Sequence, residues 1–130
     1  PVPQNEKEAT YYSNIKAEDM MLDFERETAE KIHARIRAFH PWLPCYVSHR
    51  NKYFIPNPYK LRILDEEHTE KILKKRKITT PKVGAIIDTN YKSRSITVMC
   101  RDWKSLKMTG VYLYGFFNKP FTRLFIKNIL

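Results

Sequence analysis

Five basic side chains lie within seven consecutive residues in the middle of the chain. They are Lys71, Lys74, Lys75, Arg76 and Lys77. Each lysine or arginine that contacts a phosphate releases counterions, which gives an affinity that is independent of base sequence and falls with added salt. A solvated loop explains such a run without any function, so both interpretations stay open at this point. The second-rank candidates for phosphate contacts are Lys82, Lys92, Arg94, Arg101, Lys104 and Lys107.

The charge of the chain is uneven along its length. The formal net charge is +10, and residues 66–130 hold fourteen basic and five acidic side chains. From Lys71 onward only Asp88 and Asp102 are negative. The field around this half is expected to be positive over a Debye length of about 8 Å, which favours an anionic partner. Four aromatic residues nearby could stack on bases, but their alternation in an apolar segment is more typical of a core: Tyr112, Tyr114, Phe116 and Phe117.

Catalytic and metal-binding patterns are missing from the sequence. The four histidines, which we expect to be surface or packing residues, have no metal-ligand spacing: His33, His40, His49 and His68. Three glycines are too few for a Gly-rich phosphate loop. Cys45 and Cys100 have no paired spacing and are expected to be reduced and buried. The sequence therefore predicts no catalytic residue, no metal and no cofactor in this chain.

The sequence also indicates where in the cell the protein is expected to reside. No apolar run approaches the roughly 18 residues needed to cross a bilayer, and no charged-then-apolar leader opens the chain. We therefore expect a soluble, cytoplasmic protein without a membrane partner. The first residue is Pro1, and residues 1–22 show no helical or strand period, so the chain is expected to begin within a longer protein.

One amphipathic helix and several short strands are expected to position the basic residues. Ala29, Ile32, Ile36 and Phe39 recur at steps of three and four, which predicts a helix that ends before Pro41. A short helix is expected at 67–75. Strands are predicted at 45–48, 53–55, 60–64, 83–88, 95–101 and 106–117, with a bend near Gly110 or Gly115, and 121–130 is expected to be a strand or a helix. The pattern indicates a mainly β fold with one linker helix, arranged as an OB-fold-like antiparallel Greek-key barrel.

Two segments resemble the formyltetrahydrofolate-dependent formyltransferases, and within them the methionyl-tRNA formyltransferases. Residues 4–15, QNEKEATYYSNI, resemble the Q-x-x-x-x-ATY-x-x-K-I/L run that closes the catalytic domain, with Asn14 in place of the usual lysine. Residues 29–44, AEKIHARIRAFHPWLP, resemble the A-E-E-I-x-x-x-IRA-F/L-N-P-W-P segment, with His40 in place of asparagine and Leu43 inserted. Residues 81–87 are more loosely similar to the family's P-G-x-I strand start.

The resemblance implies an organisation and a function. It implies that residues 1–24 are the tail of an N-terminal catalytic domain, that 25–44 are a linking helix and Pro-Trp turn, and that 45–130 are a C-terminal OB-like barrel. It further implies transfer of a formyl group from 10-formyltetrahydrofolate to the amine of methionyl-tRNA. The C-terminal part would bind tRNA. The family's catalytic residues and folate loop belong to the preceding domain, and none is matched here.

The acceptor stays open at this stage. The segment YLYGFFNKP, residues 112–120, replaces the family's usual L-Q-x-x-G-K-x-x. Relatives that formylate amino sugars on nucleotide carriers often differ in this domain, so a nucleotide-sugar N-formyltransferase is one alternative. A dimerising module without catalytic function is another. The positive charge favours tRNA, since a long polyanion engages many lysines at once.

Overall fold

The structure is a computed structural model that describes residues 20–39, 45–50, 52–114 and 119–127. Several predictions therefore fall outside the described residues. These are the 4–15 motif, the helix end at Pro41, the position of Trp42, the bend at Gly115 and the roles of His40, Phe116 and Phe117. In the described part of the chain, no helix has the length and apolar character needed to span a bilayer.

In the described part of the chain, seven short strands form two antiparallel sheets. The strands are β1 (Val47–His49), β2 (Lys52–Ile55), β3 (Leu61–Leu64), β4 (Ile86–Asn90), β5 (Ser95–Met99), β6 (Ser105–Met108) and β7 (Tyr112–Leu113). One sheet has the order β1-β2-β7 and the other the order β3-β6-β5-β4. The prediction of a mainly β fold is confirmed, and the OB-like Greek-key barrel stays a prediction.

Three helices accompany the sheets in the described residues. They are α1 (Ala29–Phe39), α2 (Glu66–Lys75) and α3 (Lys119–Lys127). The predictions of α1 and α2 are confirmed, and the open choice at 121–130 is resolved as a helix for its described residues, which end at Lys127. The Thr28 hydroxyl accepts a hydrogen bond from the Lys31 amide at 3.4 Å, as expected of an N-cap residue.

The predicted strand at 106–117 is wrong as a single element. Its described residues, which end at Tyr114, contribute to β6 and β7, and these strands belong to different sheets. The chain passes between the sheets at Gly110, whose φ of +72° is a left-handed conformation that glycine adopts without a steric penalty. The prediction for 83–88 is also displaced, because β4 begins only at Ile86, after a turn in which Gly84 has a φ of +89°.

The main core lies between the two sheets and α1. Ala29, Ile32 and Ile36 of the predicted stripe are buried with Ile96 and Leu106 of the four-stranded sheet, and Phe39, its fourth member, is partly buried against them. Backbone hydrogen bonds of 2.9 and 3.0 Å also tie residues 20–22 to Tyr46. The helix that precedes the sheets is therefore part of the same core and is fixed to them on its apolar face.

Candidate nucleic-acid interface

The densest basic run lies at the C-terminal end of α2. The helix begins after Asp65, whose carboxylate accepts a hydrogen bond of 2.8 Å from the His68 amide. This bond, with a second from the His68 ring, lowers the pKa of Asp65. Acidic residues occupy the first turn, and Lys74 and Lys75 occupy the last turn. Both placements are favourable in the field of the helix dipole, so the run lies on a capped helix and on the two residues after it, rather than on a loop alone.

The opposite face of α2 is fixed to the four-stranded sheet. Leu73 packs with Ile87 and Met99 in a second apolar cluster. The Thr69 hydroxyl lies 2.9 Å from the Ser105 hydroxyl of β6, and both residues are fully buried, with 1% and 0% of their surface exposed. These contacts leave the lysines of the last turn facing solvent on a helix whose position is fixed.

Three lysines of this run are exposed, and the described residues supply no counter-charge to them. Lys74, Lys75 and Lys77 are exposed, and among the described residues no carboxylate lies within 4.0 Å of their amines. Lys71 is 3.8 Å from Glu67 in an exposed pair, which is the kind of contact that contributes little to stability. Arg76 differs from these lysines, because its guanidinium contacts Asp88 of β4 at 2.6 Å.

The second-rank basic residues divide into two groups. Lys82 and Lys92 are exposed in turns on either side of β4, and Lys107 is half-buried on β6. The other three have internal partners. The guanidinium of Arg94 lies 4.3 Å from the centre of the Tyr112 ring and also contacts the carbonyl of Val111.

The remaining two second-rank residues connect the β5–β6 turn to α1. Arg101 donates to the carbonyl of Arg26 at 3.2 Å. The Lys104 amine lies 2.6 Å from the Glu30 carboxylate, and this contact lowers the pKa of Glu30 and raises that of Lys104. These side chains, with Arg94, hold elements of the fold together and are less available for phosphate than the lysines at the end of α2.

Arg62 is an exposed cation that the sequence reasoning did not select as a candidate. Arg62 lies on β3 directly across from Lys107 on β6 and is exposed. The segment Leu-Arg-Ile-Leu carries the signal, because alternation along a strand sends its one polar side chain to the face opposite the apolar residues on either side. The cross-strand neighbour, however, becomes known only with the register.

The histidines and cysteines assemble no reactive centre in the described residues. Burial raises the pKa of Cys45 to about 11 and that of Cys100 to about 12, and both thiols are free and buried as predicted. Burial lowers the pKa of His33 and of His49. Within the described ranges no group of three or more histidine, cysteine, aspartate or glutamate side chains is arranged to hold a metal ion.

The two described aromatics of β7 and its end have different environments. Tyr112 is half-buried beneath Arg94, which fits the packing role that the alternation favoured. Tyr114 is 62% exposed, and its amide donates to the Tyr53 carbonyl. Its ring is therefore accessible to a partner, whereas that of Tyr112 is occupied by a cation.

These features define a small β-rich domain with a cationic surface and, among its described residues, no assembled metal site. The family model of the formyl transferase C-terminal domain matches residues 14–112, and the chain belongs to this family. The resemblance seen in the sequence is thereby confirmed.

Curated relatives agree with the family. The chain is similar to the methionyl-tRNA formyltransferase of Bacillus pumilus, with 29% identity over 111 residues that cover 85% of this chain and 33% of the relative. It is 30% identical over 111 residues to that of Treponema denticola, covering 78% and 32%, and 43% identical over 49 residues to that of Geobacillus thermodenitrificans, covering 38% and 15%. The chain thus spans about a third or less of each relative. No solved structure matches it.

Proposed function

We propose that the chain is the tRNA-binding C-terminal domain of an enzyme that transfers a formyl group from 10-formyltetrahydrofolate to the amine of methionyl-tRNA in the cytoplasm, for translation initiation. The names of the relatives support the acceptor. The observation that carries the binding role is the exposed set of Lys74, Lys75 and Lys77, which lies on a fixed helix end and has no carboxylate partner among the described residues.

The proposal divides the work between two domains. In the preceding domain the free amine would attack the formyl carbon, with help from a general base and from donors that stabilise the oxyanion. Residues of this chain would supply contacts to phosphates. Such contacts position a nucleic acid and carry no sequence information themselves, so recognition of the amino acid and of particular bases is assigned to the preceding domain.

The linking helix α1 would fix the geometry between the two parts. Its apolar face is buried in the core. Lys104 contacts Glu30 in its first turn, and Arg101 donates to the carbonyl of Arg26, which precedes the helix. A tRNA bound by α2 would therefore lie at a defined distance from the catalytic domain that is proposed to precede α1.

Binding of tRNA across a salt series tests the proposal. Three phosphate contacts contribute a slope of about 2 to 3 in log K against log salt. The variant Lys74→Gln/Lys75→Gln/Lys77→Gln should therefore reduce the slope by about that amount, and wild type should lose about 20- to 40-fold more affinity than the variant between 50 and 200 mM salt.

A matched control removes the same charge elsewhere. Lys31, Arg37 and Arg123 are exposed on α1 and α3, and replacing all three with glutamine should change the slope by less than the α2 variant does. Wild-type binding that does not exceed a heparin-competed background at low salt, or that is indifferent to salt, would contradict the proposal.

The acceptor is tested with the longer protein that contains this chain. We expect formylation of charged initiator tRNA and none of an amino-sugar nucleotide. The reverse result would assign the domain to a nucleotide-sugar N-formyltransferase. A dimer whose dissociation does not depend on salt, seen by sedimentation, with Lys74 and Lys75 protected at the subunit contact, would instead favour a dimerising module.

A further inference from the structure

A second cationic surface lies on the face of the four-stranded sheet that carries α2. The strand register places four residues in one line across this sheet: Arg62 of β3, Lys107 of β6, Thr97 of β5 and Asp88 of β4. We call this line the outer row. The neighbours of these residues along β5 and β6 are buried in the main core. Because side chains alternate along a strand, the outer row points to the opposite face of the sheet.

Helix α2 covers the part of this face next to the outer row. Thr69 contacts Ser105, and Leu73 packs on Met99. Ser105 and Met99 each lie two positions along their strands from the outer row, which is roughly 7 Å. Arg62 is exposed and Lys107 is half-buried, so the basic end of the row remains accessible beside the helix.

Two like charges face each other in the outer row. Arg62 and Lys107 are directly opposite on antiparallel strands, where Cβ atoms are about 5 Å apart and like charges destabilise the pair. Among the described residues neither side chain has a carboxylate within 4.0 Å. An anion that binds between them would remove the repulsion.

At the other end of the outer row, the Asp88 carboxylate is paired with a third cation, Arg76. The Nε and Nη2 atoms of Arg76 both donate to one oxygen of Asp88, at 2.9 and 2.6 Å. The Arg76 and Asp88 side chains are 38% and 30% exposed. Partly exposed pairs of this kind contribute little to stability, so a phosphate oxygen can replace the carboxylate at little cost.

We propose that the outer row is a phosphodiester-binding surface in which Asp88 competes with phosphate for Arg76. Thr97, at the centre of the row, is 2% exposed, so a phosphate chain would contact the two ends of the row. These ends are three strand spacings apart, about 14 Å, which suits a polyphosphate chain rather than one phosphate. That the natural polyanion is tRNA rests on the proposed function. In the bound state Arg62 and Lys107 share phosphate oxygens, and Arg76 exchanges its carboxylate for a further one, so Asp88 sets the affinity.

Charge variants test the row with tRNA as the probe. The variant Arg62→Gln/Lys107→Gln should lower the salt slope by about 1 to 2. Asp88→Asn should raise the slope by about 1, so that its gain in affinity over wild type is about 3 to 4 times larger at 50 mM than at 200 mM salt. Asp23→Asn is the matched control, because Asp23 pairs with Arg26 in an exposed contact just before α1 and outside the outer row. It should shift affinity by the general loss of one negative charge alone.

Inorganic tripolyphosphate separates this inference from the proposed function. In wild type it should shift the amide resonances of residues 62, 97 and 107, and the double variant should lose these shifts. The double variant relieves a repulsion, so its thermal midpoint should be no lower than that of wild type. If the double variant keeps the wild-type salt slope, Asp88→Asn behaves as Asp23→Asn does, and tripolyphosphate shifts none of these amides, the row is overturned while tRNA binding through α2 stands. If tripolyphosphate shifts these amide resonances but the protein does not bind tRNA, the outer row is supported as a phosphate-binding surface and the proposed function is refuted.

Discussion

The buried hydroxyl pair between Thr69 and Ser105 is expected to hold the basic helix on the sheet. The two oxygens are 2.9 Å apart and both residues are fully buried. Thr69→Val or Ser105→Ala removes one partner and leaves the other hydroxyl buried without it, which costs about 1 to 3 kcal/mol of unfolding free energy. The double variant leaves neither hydroxyl and should lose less than the sum of the two single losses, with a coupling of about 1 kcal/mol or more.

Urea unfolding of the four proteins, followed by tryptophan fluorescence, measures this coupling. At a slope of about 1 to 3 kcal/mol per molar urea, a loss of 2 kcal/mol moves the midpoint by roughly 1 M. None of the changes alters charge, so the salt slope of tRNA binding should stay at the wild-type value. Single losses that add within about 0.5 kcal/mol would refute the reasoning, because the two hydroxyls would then act independently.

Three further predictions concern the core, the thiols and α1. Ile32→Ala should lower the unfolding free energy by about 2 to 5 kcal/mol in urea, because Ile32 is fully buried in the main core. Burial raises the pKa of Cys45 to about 11 and of Cys100 to about 12, so iodoacetamide at pH 8 should label both thiols slowly in the folded chain and fully in urea. Lys104 lowers the pKa of Glu30 from its ordinary 4.5. Their contact therefore adds stability above pH 4.5 that is lost as pH falls through the lowered value, and Lys104→Met should lose less stability over that interval than wild type does.

The elements that depend on local pattern were the ones the sequence predicted well. The stripe of Ala29, Ile32 and Ile36 on α1 is buried in the core, because a helical period marks a buried face before any partner is known. The helix predicted at 67–75 is observed at Glu66–Lys75. Its start is determined locally, because the Asp65 carboxylate caps it.

Features that depend on register and on distant partners were not predictable in the same way. The alternation changes phase at Gly110, since Leu106 and Met108 stand at even positions and Val111 and Leu113 at odd ones. A change of phase alone does not distinguish a bend within one strand from a change of sheet, which is what the structure has there. The net charge of the chain also does not distinguish a cation that is paired within the fold from one that is free to bind a partner. It therefore could not reveal that Lys104 is paired with Glu30, seventy-four residues away, or that Arg62 lies across from Lys107.

The chain crosses between its two sheets twice, and both crossings meet at one corner. The segment between β2 and β3 and the segment between β6 and β7 are joined by a hydrogen bond of 3.0 Å from the Thr109 amide to the Lys60 carbonyl. A side chain at Gly110 would meet Asn57 at 3.6 Å and Lys60 at 3.7 Å. The β4–β5 turn is bonded to the same corner, because the Ser93 and Arg94 carbonyls accept hydrogen bonds from the Gly110 and Val111 amides at 3.1 and 3.0 Å. Among related chains, insertions should therefore be rare at residues 56–60, 93–94 and 109–111.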